Sequence, residues 1–543
     1  MKKITLALLA TSFVTAYAQP ITFSLTQTLA SGTNQRGLVC TDFDGDGKPD
    51  VMVGASASSQ IYLFANNGSG QLAAAPVSPF ANSGGPIYLA PADYNNDGRQ
   101  DMAVADYYSN QFQVLLKNST GYSASYTYTN CSLPYSTAAA DFNMDGKMDF
   151  AGAAAGSNGI FVFLGDGTGS FSLSPTSPIT ASAMPYHVSA GLINQDLFPD
   201  LAFVSGAGNL LHIYYGNGSG GFTAASGSPY ATGTEPRTLS FGNFNNDSYP
   251  DIVVCNATSN NINVFTGSAS GAFAQAAGSP IATGSYAYQA AVADFNLDGN
   301  QDIVVSNGSS NSLSVFSGNG NGSFAPPTTV MVQTDPQSIC TGDFNGDGKN
   351  DLAVSYFVSS SVDIYMNIGC PSGAFTYTAN ANGVAQFTNT SAGTSTAATF
   401  SWSFGDGASG TGASPSHNYS TGTYTVTLTV TDPGNPGCVI TATQVVTVTR
   451  IETGLHETEA NAGIFTIYPN PSQGSITVLS SVPGQAEQQL VLYSVLGKEI
   501  ATFKLSGLSN MISLGQFAKG IYIYQLQQSN TVLKTGRLLL LAE

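Results

Sequence analysis

A nine-residue pattern that recurs seven times along the first two-thirds of the chain constrains the fold most strongly. Its clearest copy runs from Asp42 to Asp50, and further copies begin at residues 93, 141, 192, 243, 294 and 343. The copies start 51, 48, 51, 51, 51 and 49 residues apart. A period of this length is typical of the four-stranded blade of a β-propeller and not of a helical repeat. The sequence therefore predicts a seven-bladed β-propeller.

The residues between the copies indicate four strands in each repeat. An apolar strand follows each loop at once, and an alternating strand begins 19 residues after each loop start. A turn of Gly, Asn and Ser that ends in an aromatic residue then leads to an outer strand. Phe23 precedes the first loop by 19 residues, as Phe324 precedes the last. We therefore expect residues 21–30 to supply the outer strand of a blade near residues 337–367, so that the N-terminus closes the ring.

The composition agrees with an all-β protein. The 543 residues include 60 Gly, 10% aromatic residues and only 9% charged residues. This mixture is typical of many short strands joined by turns of small residues.

The repeated pattern itself indicates a metal-binding loop. Positions 1, 3, 5 and 9 carry carboxylate or amide oxygens in nearly every copy, and position 6 is Gly in five copies. Hard oxygen ligands at every second residue, with a sharp turn between them, suit the high coordination number of Ca²⁺. The predicted ligands in the five intact copies are Asp42, Asp44, Asp46, Asp50, Asp93, Asn95, Asp97, Asp101, Asp141, Asn143, Asp145, Asp149, Asp294, Asn296, Asp298, Asp302, Asp343, Asn345, Asp347 and Asp351.

Two copies are degraded, and an alternative exists for each single copy. The copy from Leu192 lacks the first ligand and the Gly, and the copy from Asn243 has Ser248 at position 6. An Asp/Asn/Gly turn can also cap a hairpin without metal. Seven copies in register favour metal, because 20 of the 33 acidic residues lie in these loops and would repel one another without cations. Five bound Ca²⁺ ions would change the formal net charge from −18 to −8. The negative net charge argues against a nucleic-acid partner.

The loops, their period and their number resemble the FG-GAP/VCBS repeat family, which includes the seven-bladed propeller of integrin α-chains. The resemblance covers about residues 20–369. It implies that Ca²⁺ is held by the side chains at positions 1, 3, 5 and 9 and by the backbone carbonyl at position 7. In the intact copies, position 7 is Lys48, Arg99, Lys147, Asn300 and Lys349.

The N-terminus is typical of a secretory signal peptide. Lys2 and Lys3 precede an apolar stretch, and Ala16-Tyr17-Ala18 forms a small-residue cleavage site. We expect a signal peptide at residues 1–18. No later apolar run approaches the length of a membrane-spanning helix, so no membrane span is expected.

The six cysteines are too few for a disulfide framework in a chain of this length. Cys370 and Cys438 bracket the first module that follows the repeats, and we expect them to form a disulfide. Cys40, Cys131, Cys255 and Cys340 are expected to be small buried apolar residues.

Two further modules follow the repeats. Trp402-Ser403-Phe404-Gly405-Asp406-Gly407 and the alternating strand at 424–430 are similar to a PKD domain, an immunoglobulin-like spacer. Tyr468-Pro469-Asn470-Pro471 and the late strand at 520–524 are similar to the C-terminal sorting domain of the type IX secretion system of Bacteroidota. That resemblance implies the type IX translocon as a partner. The predicted order is a propeller at 19–369, a PKD domain at 370–450, a linker at 451–463 and a sorting domain at 464–543, the two domains being small β-sandwiches.

A column of residues at the start of the innermost strands indicates a ligand site. Six residues before each loop stand Arg36, Ile87, Tyr135, Tyr186, Arg237, Tyr288 and Gln337. Since each innermost strand runs from this column to its loop, we expect the column to ring the mouth of the channel on the face opposite the metal loops. Arg and Tyr on a concave rim suit glycan or peptide recognition.

The predicted ligand-binding residues are Arg36, Tyr135, Tyr186, Arg237 and Tyr288. Loop residues on the same face extend this patch: Tyr107, Tyr108, Tyr356 and Phe357. The alternative is that these aromatic residues pack between the blades.

Together these features predict a monomeric calcium-binding protein, secreted or on the outer cell surface, that acts in adhesion or in binding an extracellular glycan or protein. No catalytic residue is predicted. The alternative is a polysaccharide lyase or hydrolase on the same scaffold, for which His187 and His212 are the candidate groups. His212 occupies the polar position of an alternating strand, so a solvated face is expected for it.

Overall fold

The computed structural model describes residues 20–541 except 83, 195, 371–372, 381, 392–393, 395–396, 433–439, 450–464, 481–486 and 530. The predicted signal peptide, the predicted linker and Cys438 lie outside the described residues. Every regular element among the described residues is a β-strand. The all-β prediction is confirmed.

Residues 23–367 form seven antiparallel sheets, one for each sequence repeat, and we number these blades by their loops. The innermost strands are Gln35–Thr41, Pro86–Ala92, Pro134–Ala140, Pro185–Gly191, Pro236–Gly242, Ala287–Ala293 and Pro336–Gly342. The second strands are Asp50–Ala55, Asp101–Asp106, Asp149–Ala154, Asp200–Ser205, Asp251–Asn256, Asp302–Asn307 and Asp351–Tyr356. The third strands are Gln60–Asn66, Gln111–Asn118, Gly159–Gly165, Leu210–Gly216, Asn261–Thr266, Ser312–Phe316 and Ser361–Asn367.

The ring closes through the N-terminus, as predicted. Phe23–Ala30 pairs antiparallel with Ser361–Asn367 and is the outer strand of blade 7. The innermost strand of every blade contacts that of the next, and the innermost strand of blade 7 contacts that of blade 1.

The outer edges differ between blades in a way that the sequence did not predict. The other outer strands are Leu72–Ala74, Gly121–Tyr128, Phe171–Leu173, Phe222–Ala224, Ala274–Gln275 and Thr328–Met331. Blades 1, 3, 4 and 5 add a two-residue strand on the same third strand: Phe80–Ala81, Ile179–Thr180, Tyr230–Ala231 and Ile281–Ala282. In these blades a Ser-Pro turn interrupts the edge, and its Ser Oγ accepts a hydrogen bond from a third-strand N–H at 2.8–2.9 Å. A broken edge strand offers no continuous template to another chain.

The apolar core is divided into seven clusters, and each cluster lies between two neighbouring blades. The cluster between blades 4 and 5, for example, joins Val204 and Ile213 to Ile252 and Phe265. The second strands are buried on both faces, which explains their continuous runs of apolar residues. Neighbouring blades are therefore held together by the apolar side chains that pack between their faces.

Two small sandwiches follow. The first consists of Phe375–Ala379, Val384–Asn389 and Ser416–Asn418 in one sheet and Ser409–Thr411, Thr399–Ser403, Gly422–Thr431 and Ile440–Val448 in the other. The second consists of Phe465–Tyr468, Ser475–Ser480 and Ser509–Ser513 in one sheet and Glu499–Leu505, Gln488–Tyr493, Gly520–Gln528 and Thr531–Leu540 in the other. Trp402 is buried in the first sandwich, where its ring lies 5.4 Å from that of Phe387. His417 stacks on Phe404 at 4.3 Å and lies 2.7 Å from the Asp406 carboxylate, as expected for a packing residue.

No helix among the described residues is long and apolar enough to cross a membrane.

Candidate functional site

The five intact loops share one hydrogen-bonded conformation. The position-1 carboxylate accepts N–H groups from positions 5 and 6, the latter at 2.7–2.9 Å. Position 6 is a glycine with φ of 81–88°: Gly47, Gly98, Gly146, Gly299 and Gly348. Glycine adopts this left-handed backbone without steric cost, which explains its presence in every intact copy.

The position-9 aspartate is a buried anchor in all seven loops. Its carboxylate is fully buried and accepts two backbone N–H groups in every copy, one from position 2 at 2.7–3.1 Å. The second comes from the end of the third strand at 2.7–2.9 Å. Burial raises the pKa of Asp149 and of Asp302 to about 7. This residue ties the loop to its blade, and degraded copies retain it.

The donor set of the first loop fits a Ca²⁺ ion. One carboxylate oxygen from each of Asp42, Asp44 and Asp50 lies within 4.8 Å of the others, which is close enough for all three to share a cation at the usual 2.3–2.6 Å. An oxygen that already accepts one N–H keeps a second lone pair for a metal. Lys48 lies 2.7 Å from Asp46 and offsets part of the negative charge.

The degraded loops lack parts of this arrangement. In blade 4 the first position is Leu192, which is half exposed and supplies no oxygen. In blade 5 the Asn243 amide donates to the Asp247 carbonyl at 2.6 Å, so an N–H group occupies the interior of that loop. Asp200 and Asp251 keep their anchoring hydrogen bonds in both.

A β-bulge at the start of every innermost strand builds the opposite end of the channel. In all seven blades the register between the innermost and the second strand shifts after the first residues of the innermost strand. In blades 3, 4 and 5 the unpaired residues are Tyr135, Tyr186 and Arg237. A bulge redirects the side chain of its extra residue. Tyr135, Tyr186 and Arg237 therefore owe their positions to a backbone irregularity that the sequence did not indicate, whereas Arg36 is still paired with Gly54.

The structure brings all five predicted ligand-binding residues together around one cavity, which we name the channel mouth. Its lining residues are Arg36, Gly37, Ile87, Tyr88, Tyr135, Tyr186, His187, Arg237, Thr238, Tyr288 and Ser338. Gln337, the remaining member of the column, is instead buried and bonds Asp335 at 3.1 Å.

Aromatic rings hold both guanidinium groups of the channel mouth. Arg237 lies over the Tyr186 ring at 4.5 Å, donates to the Tyr286 hydroxyl at 3.0 Å and forms an ion pair with Glu235. Arg36 lies over the Phe357 ring at 4.8 Å. The Nε atoms of both arginines are buried and have no hydrogen-bond partner.

Tyrosine rings form the wall beside the arginines. Tyr135 lies 4.8 Å from Tyr186 and 5.3 Å from Tyr107, and Tyr108 is largely exposed next to Tyr107. Tyr356 does not belong to this rim, and its prediction as a surface residue is wrong. It is fully buried within blade 7, where its hydroxyl donates to Asp363 at 2.8 Å.

His187 and Tyr88 form the floor of the channel mouth. They come from blades 4 and 2, and His187 Nε2 lies 2.7 Å from the Tyr88 hydroxyl. The Leu239 N–H, from blade 5, donates to His187 Nδ1 at 3.4 Å. Burial lowers the pKa of His187 to about 4. Sequence analysis missed four residues of the mouth: Tyr88, Gly37, Thr238 and Ser338. Each of them directly follows a member of the predicted column, and the residues at that position are mostly polar, which could have indicated them.

His212 is not on a solvated face, so that prediction is wrong. It is 5% exposed, stacks on Phe203 at 4.6 Å and lies 3.1 Å from Ser182 Oγ. The equivalent polar residues Asn263 and Ser314 are buried as well. The third strand has blades packed on both faces, so its polar alternation reflects buried hydrogen bonds. His212 does not line the channel mouth with His187.

The cysteine prediction is wrong for one pair. Cys40 and Cys340 form a disulfide between the innermost strands of blades 1 and 7, with their Cα atoms 5.7 Å apart. Ring closure brings these strands together across 300 residues of sequence. Cys131 and Cys255 are buried and free, as predicted. Cys370 is disulfide-bonded, and its predicted partner lies outside the described residues.

Comparisons with known proteins identify three kinds of module. A model described as an FG-GAP-like repeat matches residues 42–104, 93–152, 141–203, 193–254, 243–305 and 294–354. A PKD domain model matches residues 374–448, and a secretion system C-terminal sorting domain model matches residues 466–539. Together the repeat matches span 42–354, more than half of the chain.

No curated protein matches the chain. Among solved structures, the crystal structure of BBS1N in complex with ARL6DN, soaked with lead, is 11% identical with a TM-score of 0.45, covering 64% of this chain and 97% of that chain. A protein from Lactobacillus plantarum is 14% identical with a TM-score of 0.44, covering 63% of this chain and 98% of that chain.

Proposed function

Because the chain belongs to the FG-GAP-like repeat family and is exported by type IX secretion to the cell surface or extracellular space, we propose that it is a calcium-stabilised binding protein. It acts as a monomer in adhesion and recognises an extracellular glycan or protein ligand at the channel mouth. The loops at the other end of the channel hold Ca²⁺.

The observation that carries this proposal is the convergence of Arg and Tyr side chains from different blades on one cavity. Arg36, Tyr135, Tyr186, Arg237 and Tyr288 come from blades 1, 3, 4, 5 and 6 and all line it. Burying two guanidinium groups is unfavourable for the fold unless they are paired or serve a ligand. A concave site lined by aromatic rings and a few convergent polar groups is typical of ligand recognition.

Calcium in the loops supports the site indirectly. A bound Ca²⁺ ion supplies positive charge that neutralises the loop carboxylates and stiffens the turn between the innermost and second strands. Since each innermost strand carries a mouth residue at its other end, stiff loops hold the mouth residues in place. The family resemblance and the donor geometry of Asp42, Asp44 and Asp50 support this assignment.

Catalysis is the second candidate function, and the His187–Tyr88 pair inside the channel mouth is the observation that favours it. A lyase or hydrolase needs a group that exchanges a proton with the substrate. His187 has neighbours at both ring nitrogens, and its lowered pKa makes it a weak base. We therefore propose binding without turnover.

The test is a glycan and peptide binding screen with the purified full-length chain in Ca²⁺, together with a product assay on each bound glycan. The test variant is Arg36→Gln with Arg237→Gln, and the matched control is Arg537→Gln, an exposed arginine in the second sandwich. We expect binding that the double variant loses and the control keeps, without product. If the double variant binds as well as the control, the ligand site lies elsewhere. If product forms and His187→Ala abolishes it, the enzyme alternative is favoured.

A further inference from the structure

The channel mouth has more positive charge and more free hydrogen-bond donors than its own residues can satisfy. Glu235 neutralises Arg237. Among the described residues, no acidic side chain forms an ion pair with Arg36. The ionisable groups that act on Arg36 electrostatically are Tyr288, Tyr135 and Arg237, which are neutral or positive at neutral pH. One net positive charge therefore stays at the mouth.

The free donors belong to the same two arginines. Both Nε–H groups are buried without an acceptor. A buried donor without an acceptor destabilises the unliganded protein, and an acceptor brought by a ligand removes this cost.

The floor adds a third donor through the tautomer of His187. Since the Leu239 N–H donates to Nδ1, the neutral ring carries its proton on Nε2. Nε2 then donates to the Tyr88 hydroxyl oxygen at 2.7 Å. The hydroxyl proton of Tyr88 is left to donate to a ligand. The side chains of Arg36, Arg237 and Tyr88 all line the same cavity.

The size of the channel mouth limits what can enter it. Its cavity has a volume of about 20 Å³, which is room for a group no larger than a water molecule or two. A sugar ring does not fit inside, but a small planar anion attached to a ring does. The rings of Tyr135, Tyr186 and Tyr107 stand beside the opening, where a sugar ring can stack on them.

We propose that the channel mouth binds the carboxylate of a uronic acid residue in an extracellular acidic polysaccharide. The carboxylate enters between Arg36 and Arg237 and accepts from their guanidinium groups and from Tyr88, while the sugar ring rests on the tyrosine wall. Guanidinium groups match the planar geometry of a carboxylate. This inference rests on the proposed function, because it names the ligand class of the same site.

The experiment measures binding of oligogalacturonate and oligoalginate by calorimetry, each beside its own methyl-esterified form. The pair differs in charge but keeps the same sugar backbone. We expect the acid forms to bind about 10- to 100-fold more tightly than the esters. Arg36→Gln should remove most of that difference, Arg36→Lys should restore part of it, and Tyr88→Phe should weaken the acid form several-fold. Arg537→Gln is the control that should change nothing.

Each outcome separates the carboxylate site from the broader proposal. If ester and acid bind equally and binding still depends on Arg237, the carboxylate inference is overturned and ligand binding at the mouth stands. If acidic peptides bind through Arg36 and the uronates do not, the sugar ligand is wrong. If the uronates bind but Arg36→Gln and Tyr88→Phe, both folded by circular dichroism, bind them like wild type, the ligand lies elsewhere and both proposals fail.

Discussion

The two ends of the propeller channel follow opposite rules. At the loop end, the same residue types make the same hydrogen bonds blade after blade, and Asp50, Asp149 and Asp302 are interchangeable anchors. At the mouth, the equivalent position is Arg in two blades, Tyr in three, Ile in one and Gln in one. A sevenfold repeat has to be uniform where it makes the turn that every blade needs. It can differ between blades at the mouth, where the ligand that we propose has no sevenfold symmetry.

The energetic cost at the two ends differs as well. The loop anchors satisfy both carboxylate oxygens with backbone N–H groups, which tie each loop to its blade and offset part of the desolvation that raises the pKa of these carboxyl groups. The mouth leaves two guanidinium Nε–H groups without acceptors and keeps a buried histidine neutral. The loop end therefore supports the fold, whereas the mouth residues lower its stability. Four predictions test that division.

Removing calcium should have the largest effect. A site with free Ca²⁺ at 100 times its dissociation constant stabilises the folded state by about 2.7 kcal/mol, and five intact loops act on one ring. Adding a chelator in excess should lower the unfolding temperature by more than any single substitution does. Differential scanning calorimetry measures this shift. An unchanged melting temperature would mean that the loops are plain turns and that the uniform end needs no metal.

Breaking the Cys40–Cys340 disulfide should have the next largest effect. The bond closes a loop of 300 residues, and the chain-entropy model gives about 6 kcal/mol for a loop this long. We expect Cys40→Ala with Cys340→Ala to lose much of this free energy of unfolding in urea. Cys255→Ala, which removes a buried free cysteine, is the control for the lost side-chain volume. Equal losses in the two variants would mean that ring closure depends on strand pairing alone.

The sequence predicted the parts of the fold that the repeat determines. Period, blade number and N-terminal closure followed from residues that recur in register, such as Asp42, Phe23 and Phe324. Column counting also found five residues of the channel mouth. It could do so because every innermost strand has the same length before its loop.

The features that the sequence did not predict depend on contacts between blades, which a repeat pattern does not indicate. Cys40 stands two residues before its loop and Cys340 three before its own, so column alignment hides their pairing. The predicted closure of blade 7 on blade 1 could have revealed it. His212 was misjudged because alternation was interpreted as exposure, although both faces of a blade are buried. The bulges at Tyr135 and Tyr186 leave no mark in the local sequence.

Removing a position-9 anchor from a degraded loop should cost a moderate amount. Asp251→Ala leaves the Phe244 and Gly267 N–H groups without acceptors in a buried site, which costs about 3 kcal/mol. The loss should be the same with Ca²⁺ and with chelator, since this loop lacks the complete ligand set. The same substitution at Asp302 should cost more in Ca²⁺ than in chelator. Urea unfolding of both variants, each in Ca²⁺ and in chelator, tests whether the position-9 carboxylate contributes separately to anchoring the loop and to binding the metal.

Acidification should reveal the smallest effect, which comes from the mouth. Burial lowers the pKa of His187 from about 6.5 in the unfolded chain to about 4 in the fold. Between these values the unfolded state binds more protons at this histidine, so the contribution of His187 to stability falls by about 2 kcal/mol as the pH falls from 7 to 5. His187→Gln should lose correspondingly less over the same range, measured by urea unfolding in saturating Ca²⁺.

His212 provides the matched comparison, because burial lowers its pKa to about 4 as well but it lies outside the channel mouth. Tyr88, Arg36 and Arg237 line the mouth with His187. His212→Gln should reduce the acid sensitivity to a similar extent but leave the binding of the acid oligosaccharides unchanged. His187→Gln should weaken that binding, since it removes the ring that orients the Tyr88 hydroxyl. If the two variants bind alike, His187 is a buried packing residue, and the mouth ends at its arginines and tyrosines.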